Sequence, residues 1–291
     1  MGNDPVATSV TKQFQQFDVV ADYSDNEFAK LENPHVSTES ATYKTIMKKR
    51  EILEKNLPES IYVRAYEKRI DLVKAVIVGA SGTPYHNGLF FFDFEFPQDY
   101  PNVPPKAHYR SFGLFGLNLN LNSNGIIRLS LLNTCVHGPK WKPWSSNILQ
   151  VLLSLRTLVL NERACLINEP EFVELEGIKL MEEQSRKCNY YAFGLLCKTM
   201  IFLLQNKPNN FEDFIVEHFR NRGHVILTAC KAYVQRFVGV GHYQGVASFL
   251  PERVHVYWWF KASTRRIYPE LVAAFAQNDP SLITTSFHSW I

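Results

Sequence analysis

The chain has 291 residues, 46% hydrophobic and 20% charged, with a formal net charge of +3. That length suits one large globular domain, or one domain with sizeable extensions. The mild positive balance carries no Lys/Arg block, which argues against a nucleic-acid binder.

Residues 1–40 are polar and mixed, with Phe17, Asp18, Val19 and Val20 set among Asp, Ser, Asn and Gln, and they read as a flexible leader. The first twelve lack the basic-then-apolar pattern of a secretory signal. Over 41–56, Ile46, Ile52 and Leu53 share one helical face, and Lys48, Lys49, Arg50, Glu51 and Glu54 lie on the other. Pro58 stops this helix. Three strands are expected next, at 61–66, 72–79 and 88–96, the last dominated by phenylalanine. The short turns between them, Glu67-Lys68 and then 79–82, predict an antiparallel meander.

Pro97, Pro101, Pro104 and Pro105 exclude a helix or central strand, and His108 and Tyr109 fit a last short strand. Residues 111–124, rich in Gly, Asn and Leu, read as irregular. An apolar helix is expected over 147–161, with Ser145 or Ser146 as its cap. Helical spacing returns over 174–204, 210–222 and 223–238, where Phe211, Phe214, Ile215 and Phe219 form one face. Beyond that, 255–260 reads as an aromatic strand and 269–276 as a short helix. The expected organisation is a leader 1–40, a core domain 41–206, a helical extension 207–240 and a divergent tail 241–291.

The five cysteines, Cys135, Cys165, Cys188, Cys197 and Cys230, are odd in number and irregularly spaced. This argues against a disulfide framework and, without a CxxC pair, against zinc. No run of 18 apolar residues occurs; the longest candidate, 148–160, is broken by Gln150, Ser154 and Arg156. Cytoplasm or nucleus is the expected location. His86 and His108 have no partner at metal-ligand spacing and read as surface histidines. The run 79–82 lacks the lysine of a phosphate loop.

The chain Gly82-Thr83-Pro84-Tyr85-His86-Asn87-Gly88, a Phe-rich strand, and then Phe96-Pro97, Tyr100-Pro101 and Pro104-Pro105 carry a specific resemblance. Helix, meander, proline-rich loop, asparagine-rich segment and apolar helix follow in the order of the ubiquitin-conjugating enzymes, which the chain resembles over roughly 41–240. It is most similar to the large plant conjugating enzymes of phosphate-homeostasis type, through Leu129-Ser130-Leu131-Leu132, Asn168-Glu169-Pro170, Glu217-His218-Phe219 and Ala229-Cys230-Lys231-Ala232. The resemblance implies an α/β (α+β) fold: an antiparallel four-stranded meander flanked by helices, with a helical C-terminal extension.

The family works through one cysteine that carries ubiquitin as a thioester, eight residues after the asparagine of a His-Pro-Asn tripeptide. Here the aligned tripeptide is Asn118-Leu119-Asn120, and the cysteine position holds Arg128. A guanidinium is neither a nucleophile nor a leaving group at neutral pH. The resemblance implies for Asn120 a role in stabilising the oxyanion, against the plain alternative of a loop residue bonding its own backbone. Cys135 is the one nearby thiol, against the plain alternative of a small, partly buried apolar residue.

Four readings follow. The chain is a binding scaffold for ubiquitin, a ligase or a partner conjugating enzyme. Alternatively it is an active ubiquitin transferase through Cys135, or through an unrecorded cysteine at position 128, one base change from Arg. The last is a degenerate gene product. The partners implied are ubiquitin, the ubiquitin-activating enzyme or a ligase, and another conjugating enzyme. In the family the proline-rich loop, the first helix and the Trp141-Lys142-Pro143 turn form the ligase surface, with Lys48, Lys49 and Arg50 on the activating-enzyme side. No cofactor is expected to be bound; ATP would be needed only by the activating enzyme.

Overall fold

The structure is a computed structural model that describes residues 14–30, 37, 40–136, 138–162, 175–235, 238–243 and 255–282, with only the backbone described at 175–181. The first thirteen residues of the leader, the Asn168-Glu169-Pro170 motif and parts of the tail lie outside the described residues.

Five strands form one sheet in the order β1-β2-β3-β4-β5. β2 (Ile61–Tyr66), β3 (Leu72–Val78), β4 (Leu89–Glu95) and β5 (Lys106–Tyr109) make the expected antiparallel meander. In β4 the Phe run is buried throughout, from Phe90 to Phe94. That explains its near-continuous apolar character: both faces of the strand are covered, so alternation is lost.

The fifth strand corrects the reading of 1–40 as a flexible leader for its described residues 14–30. β1 (Phe17–Val20) pairs parallel to β2, with Phe17 opposite Val63 and Val20 opposite Tyr66. Gln16 adds side-chain bonds to the Pro58 and Ile61 carbonyls at 2.7 and 3.2 Å. Phe14 packs 5.1 Å from the Phe214 ring, under the Arg64 guanidinium at 4.1 Å. Four strand residues among polar neighbours give too short a periodic signal; their partners lie some 45 positions away.

Further on, the leader crosses a buried charge cluster. Lys74 on β3 and Asp93 on β4 are fully buried and 3.7 Å apart. Asp25 reaches Lys74 Nζ at 2.5 Å and Arg110 at 3.1 Å, and it accepts the Asn209 backbone N–H at 3.0 Å. Burial raises the Asp93 pKa and lowers that of Lys74, while their mutual attraction opposes both shifts.

α1 (Ala41–Asn56) begins at Ser40, whose hydroxyl accepts the Tyr43 N–H at 3.0 Å, and buries Ile46 and Leu53. It stops as expected, with Leu57 extended before Pro58. α2 (Ile148–Ser154) is capped by Asn147 and Gln150 in a reciprocal capping box, rather than by Ser145 or Ser146. It continues through a wider π-type turn over Leu155–Val159.

α3 (Leu175–Gln205) falls within the expected core domain, and α4 (Glu212–Val234) carries the extension. α4 is continuous through Gly223, where two helices were expected. A Cβ there would lie 2.8 Å from Leu282 Cδ1 and 3.3 Å from Phe275, so the glycine permits close packing and does not end a helix. The tail supplies that neighbour. α5 (Trp258–Ala276) replaces the expected aromatic strand at 255–260 and takes in the expected short helix. It buries Phe260, Thr264, Ile267, Tyr268, Leu271 and Phe275 at helical spacing. Phe275 stacks on Phe219 of α4 at 5.6 Å, and Phe260 meets Tyr190 of α3 edge-on at 4.7 Å. The described part of the divergent tail is therefore a layer of the same body. Aromatic residues favour strands on propensity alone, and tertiary packing overrides that preference here.

Cys188 on α3 is disulfide-bonded, whereas Cys135, Cys197 and Cys230 are free. Spacing in sequence argued only against a framework of several bridges and does not report which single pair is close in space. Among the described residues, no helix is long and apolar enough to cross a membrane, and no three metal-binding side chains gather.

Candidate functional site

The segment from Asn118 to Cys135 lies beyond the sheet, and its course is set by side chains that bond backbone. Asn118 is 3% exposed. Its Oδ1 accepts the Asn120 N–H at 2.7 Å, and its Nδ2 donates to the Tyr85 hydroxyl at 2.8 Å and to the Val159 carbonyl at 2.7 Å. Tyr85, fully buried, donates in turn to the Leu117 carbonyl at 3.2 Å. The first residue of the tripeptide thus ties the loop to the turn before β4 and to the end of the α2 segment. Tyr85, read from sequence as a corner-packing residue, anchors this loop.

Asn120 and Arg128 are backbone neighbours. The Arg128 N–H donates to the Asn120 carbonyl at 2.8 Å, and bridges at Asn118–Leu121 and Leu121–Ile127 close the intervening loop. The turn at its tip needs Gly125, which has φ +86° and whose Cβ would fall 1.9 Å from His108 Cε1. Asn120 is 7% exposed as a whole, and the polar atoms of its side chain are not among the buried ones that lack a partner. Arg128 is exposed, with no carboxylate within ion-pair distance among the described residues. Leu119 and Ile126, on the same loop, expose 43% and 49% of their surfaces.

Sequence reasoning missed Thr134. Its hydroxyl accepts the Leu129 N–H at 2.9 Å and lies 2.6 Å from the Ile127 carbonyl, so it holds both neighbours of Arg128. The single helical turn Ser130–Leu132, closed by Asn133 in the left-handed region, folds the chain back for this contact. Its one available signal was Asn133-Thr134, a turn-forming pair. Cys135, next in the chain, is partly buried, and its carbonyl accepts from Lys140 Nζ. Trp141, 8% exposed, donates to the Pro101 carbonyl at 2.7 Å and packs 5.8 Å from Tyr100. The Trp-x-Pro turn is thereby joined to the proline-rich loop.

One expectation about a neighbouring residue changes. His86 is not a surface histidine: it is 4% exposed, bonded to the Tyr233 hydroxyl at 2.9 Å and stacked on Phe193 at 5.2 Å. Burial pushes its pKa down to about 4. The covering groups come from α3 and α4, far along the chain. On α1, the half-buried Arg50 places its guanidinium 5.5 Å from the Phe17 ring centre.

Chemically, the Arg128 segment offers an exposed cation, and no nucleophile at position 128. A cavity of about 240 Å³ between Phe14, Tyr62, Phe214 and the polar groups of α4 is a separate feature, lined by no residue of 118–135.

The family model for ubiquitin-conjugating enzymes matches residues 45–186, which take in most of α1, the meander, the Arg128 segment, α2 and the start of α3. Ubiquitin-conjugating enzyme E2 38 of Arabidopsis thaliana is 43% identical over 225 residues, covering 76% of this chain and 68% of that protein. The chain belongs to the ubiquitin-conjugating enzyme family. E2 23 of Arabidopsis thaliana is 43% identical over 269 residues, 91% of this chain, and thus extends past the family domain into the helices that follow. A human dual E2 ubiquitin-conjugating enzyme/E3 ubiquitin-protein ligase is 30% identical over 247 residues. The chain spans only 24% of the length of E2 23 and 5% of the human protein. The plant likeness and the mixed α/β fold with a helical C-terminal extension agree with the sequence reading.

Proposed function

We propose that this protein acts in the ubiquitin pathway as a binding member of the conjugating-enzyme family, without thioester catalysis of its own. One observation carries the reading. Arg128 stands exposed eight residues after Asn120, in a loop whose supports at Asn118, Tyr85 and Thr134 are complete. A protonated guanidinium forms no thioester. The partners proposed are ubiquitin, a ligase or another conjugating enzyme, met in the cytoplasm or nucleus. No cofactor belongs to this chain; ATP serves the activating enzyme. In this reading Asn120 keeps its place without its oxyanion role.

The test is incubation with activating enzyme, ATP and ubiquitin, followed by electrophoresis with and without reductant. No reductant-sensitive adduct is expected. Arg128→Cys should gain one, because the supporting loop is in place.

A second reading has a specific observation in its favour. Thr134 bonds both neighbours of Arg128, so Cys135 follows directly on a chain folded back to that position. An adduct on the unaltered protein that vanishes in Cys135→Ser would select transfer through Cys135 and overturn the binding-only reading.

A further inference from the structure

The cavity of about 240 Å³ lies away from the Arg128 segment and is built from three distant parts of the chain. Phe14 comes from the leader, Tyr62 from β2, and the rest from one face of α4. Of these, only Tyr62 falls within the residues that the family model matches. Three rings make a continuous apolar floor: Tyr62 lies 4.2 Å and Phe14 5.1 Å from Phe214. Size narrows the occupant. A cavity of about 150 Å³ takes a benzene ring, and pockets for drug-sized molecules begin at about 300 Å³. The volume here fits one substituted ring and excludes a nucleotide.

The polar wall defines the substituent. His218 Nε2 lies 2.9 Å from the Asn87 carbonyl, which only accepts, so that nitrogen carries the proton. Burial pushes the pKa of the ring down to about 4 and keeps it neutral, which leaves Nδ1 an acceptor. Nδ1 has no hydrogen-bond partner among the described residues and is not among the buried atoms that lack one, so it opens on the cavity. Arg222 stands one turn further along α4, exposed and without a side-chain partner among the described residues. An acceptor beside a donor calls for a group that both gives and receives a hydrogen bond. A phenol hydroxyl does both, whereas an indole only donates and a phenyl ring does neither. Glu217 and Asn221, also one turn apart, form the other side of the same face. Both are exposed and lack side-chain partners among the described residues. That side suits a backbone amide at Asn221 and a cation at Glu217.

We propose that this cavity is a docking pocket for a tyrosine of a partner protein, with a lysine beside that tyrosine. The ring lies on Phe14, Tyr62 and Phe214. Its hydroxyl donates to His218 Nδ1 and accepts from Arg222, and the neighbouring lysine pairs with Glu217. The pocket shares no residue with the Arg128 segment, so it stands whether or not the protein forms a thioester.

The experiment is an NMR titration of the isotope-labelled full chain with the blocked peptide Ser-Gly-Lys-Tyr-Gly-Ser, read at the amides of Tyr62, Phe214 and Asn221. Phenylalanine in place of the peptide's tyrosine should weaken binding about tenfold, because the Nδ1 acceptor is then left unpaired. Arg222→Ala should weaken the tyrosine peptide and leave the phenylalanine peptide unchanged. Glutamate in place of the peptide's lysine should cost about threefold, the scale of an exposed ion pair, and Glu217→Lys should restore it. Equal binding of the tyrosine and phenylalanine peptides overturns the pocket, as do shifts confined to other surfaces or no binding at millimolar peptide. Tighter binding of a phosphotyrosine peptide overturns it too, since a largely deprotonated phosphate has no proton to give Nδ1. The peptide changes leave the protein unaltered, so misfolding of a variant cannot mimic the result.

Discussion

The side-chain amide of Asn118 donates to the Tyr85 hydroxyl at 2.8 Å, joining the loop before Arg128 to the turn before β4. Both groups are buried, and Asn118 serves the Asn120 N–H and the Val159 carbonyl as well. Asn118→Ala would leave several buried groups unpaired and should cost about 2–3 kcal/mol. Tyr85→Phe, which removes one hydroxyl, should cost about 1 kcal/mol. Urea unfolding of the two variants checks the order, and equal losses would contradict the central place given to Asn118.

Gly125→Ala should destabilise the same loop from its tip. The left-handed backbone costs an alanine about 1 kcal/mol, and the new Cβ meets the His108 ring at 1.9 Å. A combined loss of about 2–3 kcal/mol is expected. Gly125→Ala together with His108→Ala should recover the steric part and keep the backbone part, as read by the shift in melting temperature.

Lys74→Met removes one of two cations from Asp93, which is fully buried on β4 and keeps the Glu27 N–H at 3.1 Å and Arg110 at 3.9 Å. Breaking a buried pair from one side costs about 3–5 kcal/mol. Removing both charges, as Lys74→Met with Asp93→Leu, should cost less than the first change alone. Denaturant midpoints for the single and double variants decide this, and simple additivity would count against a coupled pair.

Acid should weaken the protein through His86. Unfolded, this imidazole takes a proton below pH 6.5; folded, burial holds it neutral until about pH 4. Its contribution is therefore whole above pH 6.5 and declines as the pH falls to 4, by about 3 kcal/mol at the lower end. His86→Gln should flatten the stability profile over that interval relative to the parent. An unchanged slope would mean that His86 titrates normally in the fold.

How far the sequence reveals the fold depends on how local each cause is. Ile46 and Leu53 mark α1, Pro58 marks its end, and the Phe run marks β4, because each signal sits inside its own element. β1 was hidden because four residues carry little periodicity and their order comes from Val63 to Tyr66. α5 was misread at Trp258, Trp259 and Phe260, whose strand preference yields to burial against α3 and α4. In the site, the tripeptide and Arg128 were visible as a register of positions. The work of Thr134 and the burial of His86 were not, since both depend on contacts that composition does not announce.

The contact between Asp25 and Asn209 has a consequence for synthesis. The two residues are 184 positions apart, and ribosomes add about 5–20 residues per second. Asp25 thus leaves the ribosome about 10–40 s before the backbone that completes its bonding exists. During that interval Lys74 and Arg110 emerge in turn, and Asp25 can engage them first. The clamp is then finished by the loop between α3 and α4, so an earlier part of the nascent chain waits for a much later one.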